Sequence, residues 1–417
     1  MDVCINVIET LAPCLTQYGT DPALAQFLSI LLGVVLVTLL PLVLVILLIW
    51  VERKVAARVQ DRIGPNRVGP LGLLQNVADA LKLITKEDIT PAGADRVVYN
   101  LAPIVAILSV ILIWAVIPFS PVHIGVDLDI GVLYFVAVSS IGTLAIMMAG
   151  WASNNKYALL GAFRVVAQLL SYEVPLILSL LVPIMIAGTM SMMEITRAQL
   201  GMWFIFMAPL SALIFYISNL AETGRAPFDL IEAESELVAG YNIEYSGMKF
   251  GLFMANEFLH AFTANLLFAV IFLGGWVGPG AEQVPLLGFV YLMIKTALVY
   301  IPSLILRATV PRVRIDQLMA FNWKFLVPVA IVNVLVMAFL LKLMQTLGIT
   351  PAPEQATSFL ANLPMTVILL LGNIAMFIGI AAVLRTLGRR ERMADVASSA
   401  LVPVEQDDDI LPVTAAR

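Results

Sequence analysis

The most highly charged part of this chain lies between two apolar stretches, at residues 219–245. From Glu222 to Glu244 it has six acidic residues and one base, Arg225, although only 13% of the whole chain is charged. The acidic residues are Glu222, Asp229, Glu232, Glu234, Glu236 and Glu244. Crowded carboxylates beside a bilayer are costly to ionise together, so we expect some of them to hold a proton near neutral pH. The segment therefore predicts a proton relay, and the alternative is a solvated acidic loop.

The spacing of these residues favours the relay. Gly224 and Pro227 interrupt any helix that follows Glu222, and irregular backbone at membrane depth must be covered by protein or water. If helix resumes, Glu232 and Glu236 are one turn apart and face the same way, so their protons are shared. Apolar residues that would be poorly placed in water are interleaved with the acids: Phe228, Leu230, Ile231, Leu237 and Val238.

Further ionisable side chains lie inside apolar runs, where such residues are functional candidates. Glu173 begins one run, and its alternative role is a structural ion pair with an arginine. Glu257 extends the acidic row inward. His260 is interpreted as a neutral core residue, and Lys295 is expected to pair with an acid.

The composition is that of an all-α polytopic membrane protein. The chain of 417 residues is 60% hydrophobic with a mean hydropathy of +0.95, whereas soluble domains are nearer half apolar and a quarter charged. Two cysteines, Cys4 and Cys14, cannot hold an iron–sulfur cluster, and two histidines give no basis for a metal or haem site. We predict no metal and no redox centre in this chain. The residues leave open whether the two thiols pair.

The hydropathy pattern predicts about nine transmembrane helices, since ~30 Å of hydrocarbon needs about 20 residues. They fall near 25–51, 97–118, 131–151, 171–189, 202–221, 251–273, 286–306, 325–346 and 359–384. Residues 71–86 are too short and too mixed to span. Their apolar positions recur at steps of three and four, which predicts an amphipathic helix at the interface.

The distribution of basic residues predicts the orientation. With the N-terminus outside, 21 of the 24 lysines and arginines fall in inner segments, as the positive-inside rule requires. The C-terminus is then cytoplasmic. We expect residues 1–346 to form a membrane core, 347–384 to hold an additional C-terminal transmembrane helix, and 385–417 to be a disordered cytoplasmic tail.

Two inner loops are basic. Residues 52–70 contain two Gly-Pro steps that fix a turn. Membrane anchoring explains single residues such as Arg58 or Arg67, but an anchor needs no turn, and we expect the mouth of a pocket for a lipid-like ligand. Residues 307–324 suit docking of an acidic or polar protein surface as well as anchoring.

Several of these stretches together resemble a known family. The chain resembles the H-type membrane component of bacterial respiratory complex I, the proton-pumping NADH–quinone oxidoreductase, and its mitochondrial counterpart. The matching stretches are Glu-Arg-Lys at 52–54, Gly-Pro-Asn-Arg-Val-Gly-Pro at 64–70, Ala-Asp-Ala-Leu-Lys at 78–82, Gly-Trp-Ala-Ser-Asn-Asn-Lys-Tyr at 150–157, Ser-Tyr-Glu at 171–173, all of 221–245, and Arg-Ala-Thr-Val-Pro-Arg-Val-Arg-Ile-Asp-Gln-Leu-Met at 307–319. They occur in the family's order.

The resemblance implies roles for individual residues. Those that would line or approach a quinone chamber are Arg53, Asp79, Lys82, Arg225 and Phe228. Those that would form an acidic proton passage are Glu173, Glu222, Glu232, Glu234, Glu236 and Glu257. The family core has eight spans, so the ninth and the tail are a departure whose role stays open.

The resemblance also implies a setting. The chain would be one component of a multisubunit enzyme in the bacterial cytoplasmic (inner) membrane, with ubiquinone or menaquinone as the substrate. FMN and iron–sulfur clusters would belong only to partner subunits. Its partners would be peripheral-arm subunits, including the one with the terminal iron–sulfur cluster, small and antiporter-like membrane subunits, and lipid, with no nucleic acid.

Two other functions compete with this one. The first is the membrane anchor of an energy-converting hydrogenase or a related dehydrogenase, which lies in the same superfamily. The second is an autonomous cation or proton exchanger. The absence of an internal sequence repeat disfavours an exchanger, because many transporter folds are built from repeats.

Overall fold

The computed structural model describes residues 21–229, 239–349 and 358–400 together with Thr16, and only the backbone of 387–400. Within these ranges the regular structure is all helical, as predicted. The α-helices are α1 Pro22–Val59, α2 Gln75–Thr85, α3 Arg96–Trp114, α4 Gly131–Ala152, α5 Lys156–Ala187, α6 Met192–Arg197, α7 Phe204–Met207, α8 Pro209–Glu222, α9 Gly247–Phe272, α10 Pro285–Thr309, α11 Ile315–Phe321, α12 Val327–Thr346 and α13 Phe359–Ala400. Short 3₁₀ turns lie at Pro70–Gly72 and Gly240–Asn242, and a π-helical turn at Asn322–Leu326 joins α11 to α12.

Eight helices in the described ranges are long and apolar enough to cross a membrane. They are α1, α3, α4, α5, α9, α10, the continuous run Ile315–Thr346 and the part of α13 from Phe359 to Thr386. These eight cover eight of the nine predicted spans. The chain is therefore a polytopic all-α membrane protein.

The ninth predicted span, at 202–221, differs in the structure. It is divided into α7 and α8, and α8 has 14 residues, a length of about 21 Å at 1.5 Å per residue. The division falls at Ala208, whose φ of −137° is not helical, directly before Pro209. Proline cannot donate the hydrogen bond that a continuous helix requires at this position. Apolar composition alone does not reveal this break.

Small side chains allow the central helices to pack closely. The buried cluster there is formed by Tyr99, Ala102, Ala106, Ala145, Ile146, Ala149, Ala152, Ala162, Val165, Leu169, Tyr241, Tyr245 and Phe253. A Cβ atom at Gly150 would collide with the methyl group of Ala162, so α4 and α5 meet almost backbone to backbone. The rings of Tyr99 and Tyr245 stack at 4.2 Å, which ties α3 to the segment before α9.

The short helix α2 matches the predicted interfacial helix. Its apolar side chains Val77, Leu81 and Ile84 are exposed, which suits contact with lipid. Its other face is attached to α1, because the side-chain amide of Asn76 donates to the carbonyl of Ile46 at 2.6 Å. The helix is therefore fixed against the C-terminal half of α1.

The chain divides into two compact units, residues 1–372 and 373–417. The division lies inside α13, and the boundaries predicted at residues 346 and 384 stay predictions. The backbone of α13 is helical to Ala400, whereas the sequence predicted disorder from residue 385. Residues 385–400 contain no proline and several strong helix formers, so local propensity sustains the helix there. Residues 401–417 are outside the described ranges.

Candidate functional site

A buried group of charges lies where α1, α9, α10 and the loop after α8 meet. Arg225, in that loop, is 3% exposed and its Nη1 lies 2.5 Å from Oε1 of Glu52 near the end of α1. Arg307, in the last turn of α10, contacts the same carboxylate oxygen. Glu257 of α9 lies 3.9 Å from Nε of Arg225. Charges this deep require pairing, because desolvation of a lone ion costs several kcal/mol.

The charge group leaves donor and acceptor atoms unused. Nη2 of Arg225 and Oε2 of Glu52 are buried, and neither has a hydrogen-bond partner within the described ranges. The guanidinium also lies 5.1 Å from the ring centre of Phe258, a cation–π distance. Buried polar atoms are normally satisfied, so this arrangement suits a ligand with hydrogen-bond acceptors, or a partner chain.

A cavity of about 260 Å³ opens beside these charges. Its lining residues are Glu52, Arg53, Ala56, Gln60, Arg62, Phe258, Leu304, Arg307 and Ala308. A larger basic pocket of about 760 Å³ shares Arg53 and Arg62 with it and is completed by the turn 63–67 and Gln75. The basic loop predicted to shape a pocket therefore forms the wall of one.

Arg53 stands between the two cavities and is held by α2. Its Nη1 lies 2.6 Å from Oδ2 of Asp79 and 3.3 Å from Oδ1 of Asn76. Burial raises the pKa of the Asp79 carboxyl, but the hydrogen bonds of Arg53 and Gln75 and the charges of Arg53 and Lys82 together lower it by more, and the net pKa is below its usual value. Lys82 lies 3.7 Å from Asp79 with a largely exposed side chain. The structure thus brings together three of the five residues expected at the quinone chamber, around α2.

The other two expected chamber residues lie in the loop after α8 and differ in their surroundings. Arg225 lies behind the wall of the smaller cavity: it contacts Glu52, which lines that cavity, but does not line it itself. Phe228 is buried among aromatic rings, with ring centres 5.7 Å from Tyr172 and 6.5 Å from Phe321. It does not line either of the two cavities. Its packing fixes the loop that carries Arg225.

Two of the expected proton-passage residues share a small internal cavity of about 50 Å³. Glu222, at the end of α8, and Glu257 both line it, together with His260, Ser139 and Tyr241. A cavity of this size has room for water, which needs roughly 10–15 Å³ and two or more polar partners. Because Glu257 also lies beside Arg225, this cavity is adjacent to the buried charges.

Glu173 occupies a separate position on α5. It accepts a hydrogen bond of 2.5 Å from the hydroxyl of Ser140 on α4. Glu232, Glu234 and Glu236 of the acidic row lie outside the described residues, as do Cys4 and Cys14. The placement of those five side chains therefore stays a prediction.

The expectation that Lys295 pairs with an acid is wrong for the described part of the chain. Its Nζ donates to the carbonyl of Val277 at 2.7 Å and lies 4.6 Å from the ring centre of Trp203. A carbonyl oxygen and an aromatic face together replace the carboxylate. The Gly-rich segment before α10 folds back onto α10 and brings the carbonyl of Val277 to Lys295. This contact depends on the tertiary structure.

Two residues of the buried group were not predicted as site residues. Glu52 and Arg307 were noted only within longer motifs, as parts of basic loops. Each lies at the C-terminal end of a predicted span, where an ionisable residue can be either a surface anchor or one member of a buried pair. Only their convergence on Arg225 separates the two.

No three side chains of His, Cys, Asp and Glu are grouped closely enough to hold a metal ion in the ranges that the structure describes. The donors present at the charge group are guanidinium groups, which repel cations. The arrangement suits an organic ligand with oxygen acceptors.

Comparison with known proteins decides the family. A family model described as NADH dehydrogenase matches residues 32–338, which contain the whole charge group. The chain belongs to this family. It is 48% identical over 316 residues to the H component of NADH-quinone oxidoreductase from Dehalococcoides mccartyi strain CBDB1, covering 76% of this chain and 86% of the relative.

Other members of the family are similarly close. An H component of NADH-quinone oxidoreductase from Geobacter metallireducens is 46% identical over 320 residues, covering 74% of this chain and 95% of the relative. The H component from Geobacillus kaustophilus is 48% identical over 291 residues, covering 70% and 87%. The matched region takes in most of each relative, and the family therefore accounts for the membrane core of this chain.

Proposed function

We propose that this chain is the membrane subunit of a proton-pumping NADH–quinone oxidoreductase, and that the cavity beside Glu52, Arg225 and Arg307 receives the quinone head group. The observation that carries the proposal is the Arg225–Glu52–Arg307 group, in which Glu52 and Arg307 line the cavity and buried polar atoms of Glu52 and Arg225 lack a partner within the described residues. A quinone offers two carbonyl oxygens as acceptors and an apolar tail. The exposed apolar face of α2 provides a lipid-side approach for such a tail.

The chemistry of quinone reduction suits this charge distribution. A quinone takes up two electrons and two protons to become a hydroquinone, and negative charge develops on its oxygens before the protons arrive. Guanidinium groups fixed in a buried site stabilise such charge strongly, because they need no reorganisation. The electrons would come from the terminal iron–sulfur cluster of a partner subunit, and FMN would also belong to partners.

Coupling to proton transfer would proceed from the same charge group. Glu257 lies beside Arg225 and shares a cavity with Glu222, so a change of charge at the quinone alters the field at both carboxylates. Moving one charge against 100 mV requires about 2.3 kcal/mol. A close electrostatic contact supplies coupling of this size more readily than a distant one. Glu173, Glu232, Glu234 and Glu236 would continue the passage toward antiporter-like subunits.

The experiment that tests the quinone site uses the assembled complex in its own membrane. Arg225→Ala is compared with Arg197→Ala, which removes an arginine that is half exposed and pairs with Glu194. We expect Arg225→Ala to lower NADH–quinone activity at least tenfold, about the loss of one buried charge-assisted hydrogen bond. Activity with an artificial acceptor, which is reduced before the quinone site, should be retained. Wild-type quinone kinetics in Arg225→Ala would refute the site.

The assembly itself has a direct test. On a native gel, this chain should migrate with NADH dehydrogenase activity in a large complex with peripheral and membrane subunits. Migration with hydrogenase activity would support the membrane-anchor alternative. Transport of cations by the purified chain alone would support the exchanger.

The orientation, N-terminus outside and C-terminus cytoplasmic, is also a proposal. It depends on whether the region of α7 and α8 crosses the bilayer, because nine crossings put the two termini on opposite sides and eight put them on the same side. Reporter fusions at both termini in the bacterial inner membrane distinguish these outcomes. Opposite locations support nine crossings, and equal locations exclude them.

A further inference from the structure

A glutamine on α5 closes the loop that carries Arg225. Gln168 is fully buried, and its Nε2 donates to the carbonyl of Ala221 at 2.6 Å and to the carbonyl of Phe228 at 2.8 Å. The two acceptors flank the loop on either side. One amide group therefore joins the end of α8 to the last residue of the loop, Phe228.

Only a side chain with two N–H donors can make this connection. Both partners are carbonyl oxygens, which accept and never donate, and the terminal NH₂ of glutamine has two donors. The carbonyl of Ala221 belongs to the last turn of α8, where helix carbonyls lack regular partners. A side chain of similar length without N–H groups would remove a donor from both carbonyls, although that of Ala221 would keep the amide N–H of Gly224 at 3.3 Å.

The loop between these anchors aims Arg225 at Glu52. The amide N–H of Arg225 donates to the carbonyl of Leu220 at 3.1 Å. Gly224, directly before Arg225, has a φ of +61°, so the backbone turns sharply there. The guanidinium then reaches the Glu52 carboxylate at 2.5 Å. One turn beyond Gln168, the ring of Tyr172 packs against Phe228 at 5.7 Å between ring centres. One face of α5 thus holds both the backbone and a side chain of the loop.

We propose that Gln168 is a positioning residue for the quinone site and acts by fixing the loop 222–228 so that Arg225 meets Glu52. It does not itself line the described cavities beside these charges. The inference rests on the proposed quinone site. Its effect should appear in the binding of quinone and should depend on Arg225.

The chain offers a matched control in Gln199. This glutamine is also fully buried, and its Nε2 also donates to two carbonyls, those of Ile195 at 3.2 Å and Val270 at 3.0 Å. It lies after α6, away from the loop that carries Arg225. Its replacement removes two comparable donor contacts at equal burial, together with the hydrogen bond that its Oε1 accepts from the amide of Phe204 at 3.3 Å, without touching the quinone site.

The test compares Gln168→Met with Gln199→Met in the assembled complex. Methionine keeps the length of the side chain and removes both donors. For Gln168→Met we expect the apparent KM for quinone to rise about tenfold, the effect of one misaligned buried polar contact. The activity with an artificial acceptor should stay within about twofold. Gln199→Met should leave the KM for quinone unchanged, and equal KM changes in both variants would refute the proposal.

A double-mutant cycle separates positioning from a general structural role. If Gln168 acts through Arg225, adding Gln168→Met to Arg225→Ala should change quinone activity by less than about twofold. If the fold-changes in quinone activity of the two single variants multiply in the double variant, the proposal is overturned. If Arg225→Ala alone has wild-type kinetics, the quinone site itself fails. If Arg225→Ala is impaired and Gln168→Met is not, only the positioning role fails.

A second variant tests the role of Gln168 if the complex with Gln168→Met does not assemble. Gln168→Asn retains both donors on a shorter side chain, and we expect a rise in quinone KM that is smaller than that of Gln168→Met. If neither variant assembles while Gln199→Met does, Gln168 is a folding residue and the positioning role is refuted.

Discussion

Arg225 donates to Glu52 across 173 positions of sequence at a distance of 2.5 Å. The contact joins the loop after α8 to the C-terminal end of α1, and both side chains are buried. Arg307 shares the same carboxylate, so a single acid balances two bases. The site has an excess of positive charge unless Glu257 is ionised as well.

Removing the shared carboxylate should destabilise the protein. In Glu52→Gln, Arg225 and Arg307 face each other without an acid between them, and loss of one partner of a buried pair costs about 3–5 kcal/mol. We expect a melting temperature of the purified complex lowered by several degrees. Glu194→Gln, which breaks a half-exposed pair with Arg197, should cost no more than about 1 kcal/mol. Equal effects of the two changes would show that the buried group contributes no special stability.

The contact between Arg53 and Asp79 should depend on pH in a defined direction. Burial raises the pKa of Asp79, but the hydrogen bonds of Arg53 and Gln75 and the charges of Arg53 and Lys82 together lower it more, so the folded pKa lies below the unfolded one. Its contribution to stability is then complete above the unfolded pKa and is lost as pH falls through the folded value. The stability difference between wild type and Asp79→Asn should be constant between about pH 8 and about pH 5, and shrink only below about pH 4.

The control for this pH dependence repeats the comparison of Asp79 with Asp79→Asn in a protein that lacks Arg53. With Arg53→Gln as background, Asp79→Asn should give a stability difference that no longer declines in the same low range. Thermal unfolding over a pH series measures both differences. A decline already visible between about pH 8 and about pH 5 would contradict the assignment.

Glu222→Gln should depress coupled turnover while assembly remains intact. Glutamine fills the same space in the cavity shared with Glu257 and His260, but it cannot release or accept a proton. We expect NADH–quinone activity and proton pumping to fall by at least about tenfold, the lower side of typical proton-transfer contributions. One control is the activity of Glu222→Gln with an artificial acceptor. The other is the quinone-linked activity and proton pumping of Glu194→Gln. Wild-type turnover and pumping in Glu222→Gln would remove this residue from the proton passage.

Gly72 is required for the shape of the basic pocket. It has a φ of +79°, and a Cβ atom there would overlap the carbonyl oxygen of Pro65. Gly188 has a φ of +72° but open space around it, so Gly188→Ala carries the backbone penalty alone, about 1 kcal/mol. We expect Gly72→Ala to raise the quinone KM and Gly188→Ala to leave it unchanged. Equal KM values in the two variants would show that the turn does not shape the site.

The sequence predicted the membrane class, the short amphipathic helix at 75–85 and eight of the nine spans correctly, because each depends on local composition and periodicity. It predicted a continuous helix at 202–221, and the break at Ala208 and Pro209 shows the limit of hydropathy. For Lys295 it predicted an acidic partner, and among the described residues the structure places a carbonyl and an aromatic ring there. The spacing of residues along the chain cannot predict a partner that a folded-back loop brings close.

The sequence alone determined that this chain spans a membrane, because 60% apolar content in long runs leaves no soluble alternative. It also determined which motifs belong to the family, since those are runs of adjacent residues. Only the tertiary structure decided that Glu52 and Arg307 join Arg225, and that Gln168 holds the loop between them. These contacts link residues from four separate elements. The physical reason is that burial requires charges and carbonyls to find partners, and which partners they find depends on how the helices pack.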